Sequence, residues 1–268
     1  MSRELARGNL LLDEPAEAVA RLTLSKPERR NALDHEVLDA LADVLPELDR
    51  GIEVRCVILT GAGGTFSAGY NIGDIPEESF EHDAESIVAH PFHAGMAAVS
   101  AHPYPMVAAI AGPCLGGGLE LAVRCDLRIA AEGATLGMPP AKLGLIYGHT
   151  GLRRFIEAIG VARTKELFLT GRVLPAQRAE RIGLVHEVVA DGEIESAAIE
   201  LASEIAANAP LASRGNKRAI ETLASFPRLT AEQERELVEL RRSSFGSEEL
   251  REGIRAFAEK REPRWRGR

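Results

Sequence analysis

Up to about residue 190, short apolar strands alternate with amphipathic helices, and many changes of state fall on a glycine or a proline. From Glu193 onward the alternation stops. Val19 to Ser25 alternates apolar and polar residues, as a half-buried strand does. Asp34 to Arg50 sets Val37, Leu38, Leu41, Val44, Leu45 and Leu48 on one helical face, with Asp34 near the start as a cap or first-turn acid. Arg55 to Thr60 is a short apolar strand broken by Gly61 to Gly64, so the first sixty residues predict strand, helix, strand. Later strands are expected at Val107–Ala111, Asp126–Ala130 and Leu184–Val189. Helices are expected at Gly116–Arg124, Gly151–Ile159, Thr164–Leu169 and Pro175–Arg181, with one ending over Ala94–Ser100. Thr135 to Thr150, rich in glycine and proline, predicts irregular structure. The acidic stretch Ile75 to Ala89 predicts a loop or flap. Beyond Glu193 come four amphipathic helices, Ile194–Asn208, Leu211–Phe226, Ala231–Phe245 and Ser247–Lys260. The pattern implies an α/β core over residues 1–192 and an all-helical region over 193–268. The apolar stripes of that region need a surface to bury them, and another subunit can supply one.

The 268 residues carry 32 Lys and Arg against 40 Asp and Glu, a net charge of −8. That balance disfavours a polyanion as the main partner and leaves room only for a local basic patch, so no nucleic acid is expected. Cys56, Cys114 and Cys125 lie among apolar residues without the spacing of a disulfide framework or a zinc site. They read as small core hydrophobes in a reducing cytoplasm, and no metal is expected. Met1 to Asn9 shows no signal-peptide pattern, and no stretch approaches the ~20 apolar residues that span a bilayer.

Two glycine turns carry the chemical signal. In Phe66 to Ile72 (FSAGYNI), the small residues Ala68 and Gly69 precede Tyr70. This is either a tight turn after a core strand or a place where a ligand approaches the backbone. In Ala111 to Ala122 (AGPCLGGGLELA), a strand runs into Gly116, Gly117 and Gly118 and a helix follows. Unpaired N–H groups at that helix start, with the positive end of its dipole, suit a developing oxyanion. Glu120 sits one turn into this helix among Leu119, Leu121 and Ala122, and those neighbours favour burial over solvent. A buried carboxylate needs a partner or a raised pKa. The segment is no nucleotide loop, because Leu119 and Glu120 stand where a phosphate loop needs Lys and Ser or Thr.

RRNAL (Arg29 to Leu33), FSAGYNI, GPCLGGGLELAVRCDLRIA and LTGRVLPAQRAERIGLVHEVV resemble the crotonase, or enoyl-CoA hydratase/isomerase, superfamily from about residue 10 to 265. The resemblance implies a crotonase-type spiral of β-β-α units with an all-helical C-terminal trimerisation region, assembling as a homotrimer or a dimer of trimers. It implies an acyl-CoA substrate and no separate cofactor, since coenzyme A is part of the substrate. It implies an oxyanion hole made by the backbone N–H groups of Tyr70 and Gly117. It implies acyl-CoA contacts at Arg30, Ala32, Ala68, Gly69, Asn71, Ile72, Gly116, Pro139 and Pro140. Lys260 either reaches the CoA phosphates or lies on a solvated helix face.

The resemblance leaves the reaction open. A hydratase of this kind handles water with two glutamates. The first matches Glu120, but the second position, in GMPPAKLGLIYGHTG, is Pro140, which cannot exchange a proton. Tyr147 in the same stretch matches a catalytic tyrosine of the methylmalonyl-CoA decarboxylase branch, the branch closest in motif. Decarboxylation of a malonyl-type thioester by Glu120 and Tyr147 is therefore the expected reaction, with enoyl-CoA hydration or isomerisation as the alternative. A non-catalytic acyl-CoA-binding or RNA-binding relative is a third reading, against which the retained Glu120 and the acidic balance weigh. Tyr147 as a plain core aromatic remains open, and His149 is an additional candidate acid.

Overall fold

The computed structural model describes residues 2–50, 53–70, 92–143, 145, 147–225 and 230–233, with isolated residues after that. The acidic segment from Ile75, Asn71, Ile72 and most of the last two expected helices lie outside the described residues.

A seven-stranded sheet forms the core, in the order β1 (Arg3–Leu5), β2 (Leu10–Ala16), β3 (Val19–Leu24), β4 (Cys56–Gly61), β5 (Met106–Ile110), β7 (Leu127–Ala131) and β10 (Glu187–Val189). The first three strands are antiparallel neighbours; from β3 to β10 every pair is parallel. A smaller sheet joins β6 (Cys114–Leu115), β8 (Thr135–Gly137) and β9 (Val173–Pro175). Helices α1 (His35–Leu48), α2 (92–101) and α3 (Gly117–Arg124) alternate with the strands. They are followed by α4 (His149–Thr170), α5 (Ala176–Arg181), α6 (Ile194–Ala207) and α7 (Pro210–Ser225).

The expected strand, helix, strand start is corrected to three strands, helix, strand. β2 was hidden by Asp13, Glu14 and Pro15, which break its alternation. Its register explains how they fit. Leu10 and Leu12 face Leu24 and Leu22, whereas Asp13 faces Arg21 and accepts its Nε at 2.9 Å, and the pairing shifts between Asp13 and Ala16, around Pro15. A proline is tolerated in a strand at such an irregularity. Thr135 to Thr150 is also more ordered than expected. It holds β8, a 3-10 turn over Pro140–Leu143 and the first residues of α4. The two helices expected either side of residue 160 are one element broken at Gly160, whose φ of 71° is left-handed.

The parallel strands are covered on both faces, which is why β4 reads as an unbroken apolar run. One face packs on α1 through Val37, Leu38, Leu41, Val44 and Leu45. Asp34 caps that helix by accepting the Val37 N–H at 3.0 Å. The other face packs on α6 through Ala198, Ala202 and Ala206, small residues set against Cys56, Ile58, Val107, Ala109 and Ile129. All three cysteines are buried and free, and burial pushes the Cys56 and Cys125 thiols up to about 12. Among the described residues, no helix is long and apolar enough to cross a membrane.

Candidate active site

The two glycine turns meet where the large sheet gives way to the small one. Isolated bridges join Leu33 to Tyr70 and Ser67 to Cys114, so the FSAGY turn lies between the RRNAL segment and the strand entering α3. The amides leading into each turn are spoken for. Ser67 donates to Pro113 O, Ala68 to Arg30 O at 2.9 Å and Gly69 to Ser67 Oγ at 3.1 Å; Leu115 donates to Ser67 O and Gly116 to Gly137 O. The next amide in each turn, Tyr70 N–H and Gly117 N–H, has no acceptor among the described residues.

Those two amides lie close together. A Cβ on Gly117 would fall 3.3 Å from Tyr70 N, and a Cβ on Gly69 would fall 3.2 Å from Gly117 N and 2.8 Å from Leu115 O. Gly69 has φ of +100° and Gly116 has φ of +53°, left-handed values that a side chain disfavours. Gly117 opens α3, so its free amide carries the positive end of the helix dipole. The Phe92 ring lies over it, with Cε2 2.9 Å from the position of a Gly117 Cβ, and meets the Tyr70 ring edge-on at 5.9 Å between centroids.

Glu120 lies one turn farther along α3 and is 1 % exposed. Its carboxylate accepts from two side chains. Arg124, on the next turn, donates from Nε at 2.9 Å and from Nη2 at 2.6 Å, both to Oε1. The Tyr147 hydroxyl donates to Oε2 at 2.5 Å. Burial first, then the field of Glu120, pushes the Tyr147 phenol well above its ordinary range, so it stays protonated in neutral water. Space for the pair comes from Gly151 in α4. A Cβ there would fall 2.6 Å from Tyr147 Cε1 and 2.7 Å from Glu120 Oε2. Phe168 packs edge-on against the Tyr147 ring at 5.4 Å and fixes its far side.

Ala68, Gly69, Tyr70, Gly116, Gly117, Glu120 and Tyr147 thus come together. Arg30 is exposed, and its carbonyl holds the Ala68 amide; Ala32 precedes Leu33, whose N–H donates to Gly69 O at 2.8 Å. Pro139 and the buried Pro140 follow β8, whose Gly137 carbonyl holds Gly116. His149 and Lys260 are both exposed. Both Glu120 oxygens are engaged by Arg124 and Tyr147 rather than by His149. Among the described residues no interaction joins Lys260 to this cluster. Sequence reasoning missed Arg124, Phe92 and Gly151. The first had a signal, since Glu120 and Arg124 are an i, i+4 acid–base pair; the others act through tertiary proximity and left none. Among the described residues no group of three His, Cys, Asp or Glu is gathered as metal ligands are.

Residues 14–268 match the family model described as enoyl-CoA hydratase/isomerase. YngF of Bacillus subtilis is 38% identical over 261 residues, covering 97% of this chain and 98% of that protein. The short-chain-enoyl-CoA hydratase of Clostridium acetobutylicum is 36% identical over 214 residues, covering 79% and 80%. A crystal structure of the enoyl-CoA hydratase from Bacillus anthracis matches with a TM-score of 0.88 at 35% identity, covering 97% of this chain and 100% of that one. These names favour the hydratase/isomerase alternative over the decarboxylase expected from the Tyr147 motif.

Proposed function

This chain belongs to the enoyl-CoA hydratase/isomerase family, and from that premise we propose that it hydrates or isomerises an enoyl-CoA thioester through an enolate. The observation that carries the reading is the juxtaposition of two amides without an acceptor among the described residues, Tyr70 and Gly117, with a buried carboxylate one turn down the Gly117 helix. In this reading the thioester oxygen sits between the amides and gains negative charge there. Donors fixed in advance in a dry site stabilise that charge without reorganising, which is worth about 3–4 kcal/mol for a single donor.

Glu120 and Tyr147 then handle the proton. The phenol's one hydrogen points at Glu120 Oε2, which leaves its oxygen lone pairs for an incoming donor. As water adds to the β-carbon, its proton passes to the Tyr147 oxygen while the phenol proton moves to Glu120. The reverse movement delivers a proton to the α-carbon of the enolate, and the pair returns to its starting state. A relay of this kind needs one carboxylate, which fits a chain with Pro140 in place of the second. The CoA portion runs along Arg30, Ala32 and Ala68 in this reading, and the 193–268 region serves assembly into trimers.

One feature favours a second reading. With Pro140 in that place, no second carboxylate joins Glu120 among the described residues, and decarboxylation of a malonyl-type thioester needs only the amides and a proton source. Two assays separate the readings. Loss of the conjugated absorbance of crotonyl-CoA without carbon dioxide from methylmalonyl-CoA supports hydration; the reverse pattern overturns it in favour of decarboxylation. Sedimentation of the full chain as a monomer would contradict the assembly role.

A further inference from the structure

Arg124 belongs to no motif that carried the reading of the sequence, yet it is the most heavily engaged neighbour of Glu120. Its side chain is 8 % exposed and that of Glu120 2 %. Nε and Nη2 both close on Oε1, while Nη1 donates to Ser100 Oγ on α2 at 3.1 Å. The guanidinium is therefore held at three points across two helices. Beyond it lies an open polar cavity of about 470 Å³, lined also by Ser100, Arg154, Arg218, Glu221 and Glu236. Arg124 lines that cavity and Glu120 does not, so the guanidinium stands between the carboxylate and solvent at the rear.

We propose that Arg124 is a positioning residue that acts through Glu120. It occupies Oε1, supplies the buried carboxylate with its counter-charge and leaves Oε2 as the oxygen that pairs with Tyr147. The proton-handling unit is then Arg124–Glu120–Tyr147, not a lone glutamate. The inference rests on the reading above that Glu120 moves the proton. An arginine suits the task because it stays charged at every working pH and its planar fork fixes direction as well as charge. Arginine cannot pass a proton on, so the rear cavity is no proton path, and exchange with solvent runs through Tyr147 on the acyl side.

Among the described residues, few groups face Glu120. α3 contributes Arg124, the segment before α4 contributes Tyr147, and α4 contributes Gly151, which does not titrate. Ser100 of α2 meets only the guanidinium, and Arg154, Arg218, Glu221 and Glu236 lie around the cavity that Arg124 lines. Removing the guanidinium takes the counter-charge from a buried carboxylate and frees Oε1.

The test compares Arg124→Met, Arg124→Lys and the double variant Arg124→Met/Glu120→Gln in the full chain. Arg124→Met is expected to lower kcat roughly 100-fold with KM changed less than about 3-fold. Arg124→Lys should recover about tenfold of the loss. In the Glu120→Gln background, adding Arg124→Met should cost less than about 3-fold, because the residue acts through a carboxylate already removed. An equal loss in both backgrounds, or a loss that falls on KM rather than kcat, overturns the proposal. A second readout needs no turnover. In thermal melts, Arg124→Met should lower the melting temperature more in the wild type than in the Glu120→Gln background, because the two groups are a buried pair; equal drops in both backgrounds also overturn it. Wild-type protein inert towards every CoA ester sinks the functional reading alone, and the melts then decide the clamp.

Discussion

The amide side of the candidate site is main chain and the proton side is side chain, and the two are held in place by different means. Tyr70 N–H and Gly117 N–H are positioned by hydrogen bonds of the residues before them: Ala68 to Arg30, Gly69 to Ser67, Leu115 to Ser67 and Gly116 to Gly137. Side chains at 69 and 117 would only interfere. Glu120 is positioned by what its own oxygens bind, Arg124 on one and Tyr147 on the other, with Gly151 vacating the space. A backbone-built element tolerates changes of side-chain chemistry and fails on added volume. A side-chain-built element does the opposite, and substitutions can measure that difference.

The largest effect is expected from Gly69→Ala. The added methyl would lie 2.8 Å from Leu115 O and 3.2 Å from Gly117 N, at a φ of +100°. Backbone on both sides leaves no flexible group to yield, so both amides move. Loss of kcat by roughly 10³-fold or more is expected, since one misplaced donor alone costs about 10²–10³-fold. Steady-state kinetics on the substrate that the two assays identify would check it. Activity within tenfold of wild type would mean that the amides do not hold the reacting oxygen.

Glu120→Gln comes next, with kcat down roughly 10²–10³-fold, the range of a positioned acid–base group. Volume is conserved, so the amide side should keep its geometry and KM should move little. The variant leaves a buried guanidinium without its counter-charge, a cost of about 3–5 kcal/mol when a buried pair loses one member. A lowered melting temperature with retained acyl-CoA binding would therefore confirm that charge pairing, not shape, holds this side together. Tyr147→Phe removes one hydroxyl and is expected to cost roughly 10–10²-fold in kcat. Gly151→Ala should cost about as much without touching a reactive atom, because its methyl would enter the space that Tyr147 Cε1 and Glu120 Oε2 share. Full activity in Gly151→Ala would argue that the pair need not touch.

The two sides were also unequally legible in the sequence. Gly69, Gly116 and Gly117 stood out because main-chain chemistry leaves a compositional trace: glycine where a side chain cannot go. Glu120 stood out as a charge in an apolar helix. Arg124 is the visible fourth residue after it, and a cation near a helix C-terminus also has an ordinary explanation in the dipole. Phe92 and Gly151 come from α2 and α4, brought in by packing alone. In the fold, α1, β3, β4 and α3 followed from periodicity, whereas β2 was masked by Asp13, Glu14 and Pro15. Asp13 is balanced by Arg21 on the neighbouring strand, a pairing that shows only once the register of β2 against β3 is known.

The smallest expected effect, and the sharpest test of the contrast, is Tyr70→Phe. Tyr70 and Tyr147 are both partly buried tyrosines at the same site, and burial raises both phenols. If only the Tyr70 amide takes part, removing its hydroxyl should cost roughly twofold in kcat/KM, through small changes in the wall that it shares with Phe92. The same change at Tyr147 should cost at least about five times more. Equal losses at the two positions would mean that the Tyr70 hydroxyl also meets the substrate, and the amide side could no longer be described as backbone chemistry.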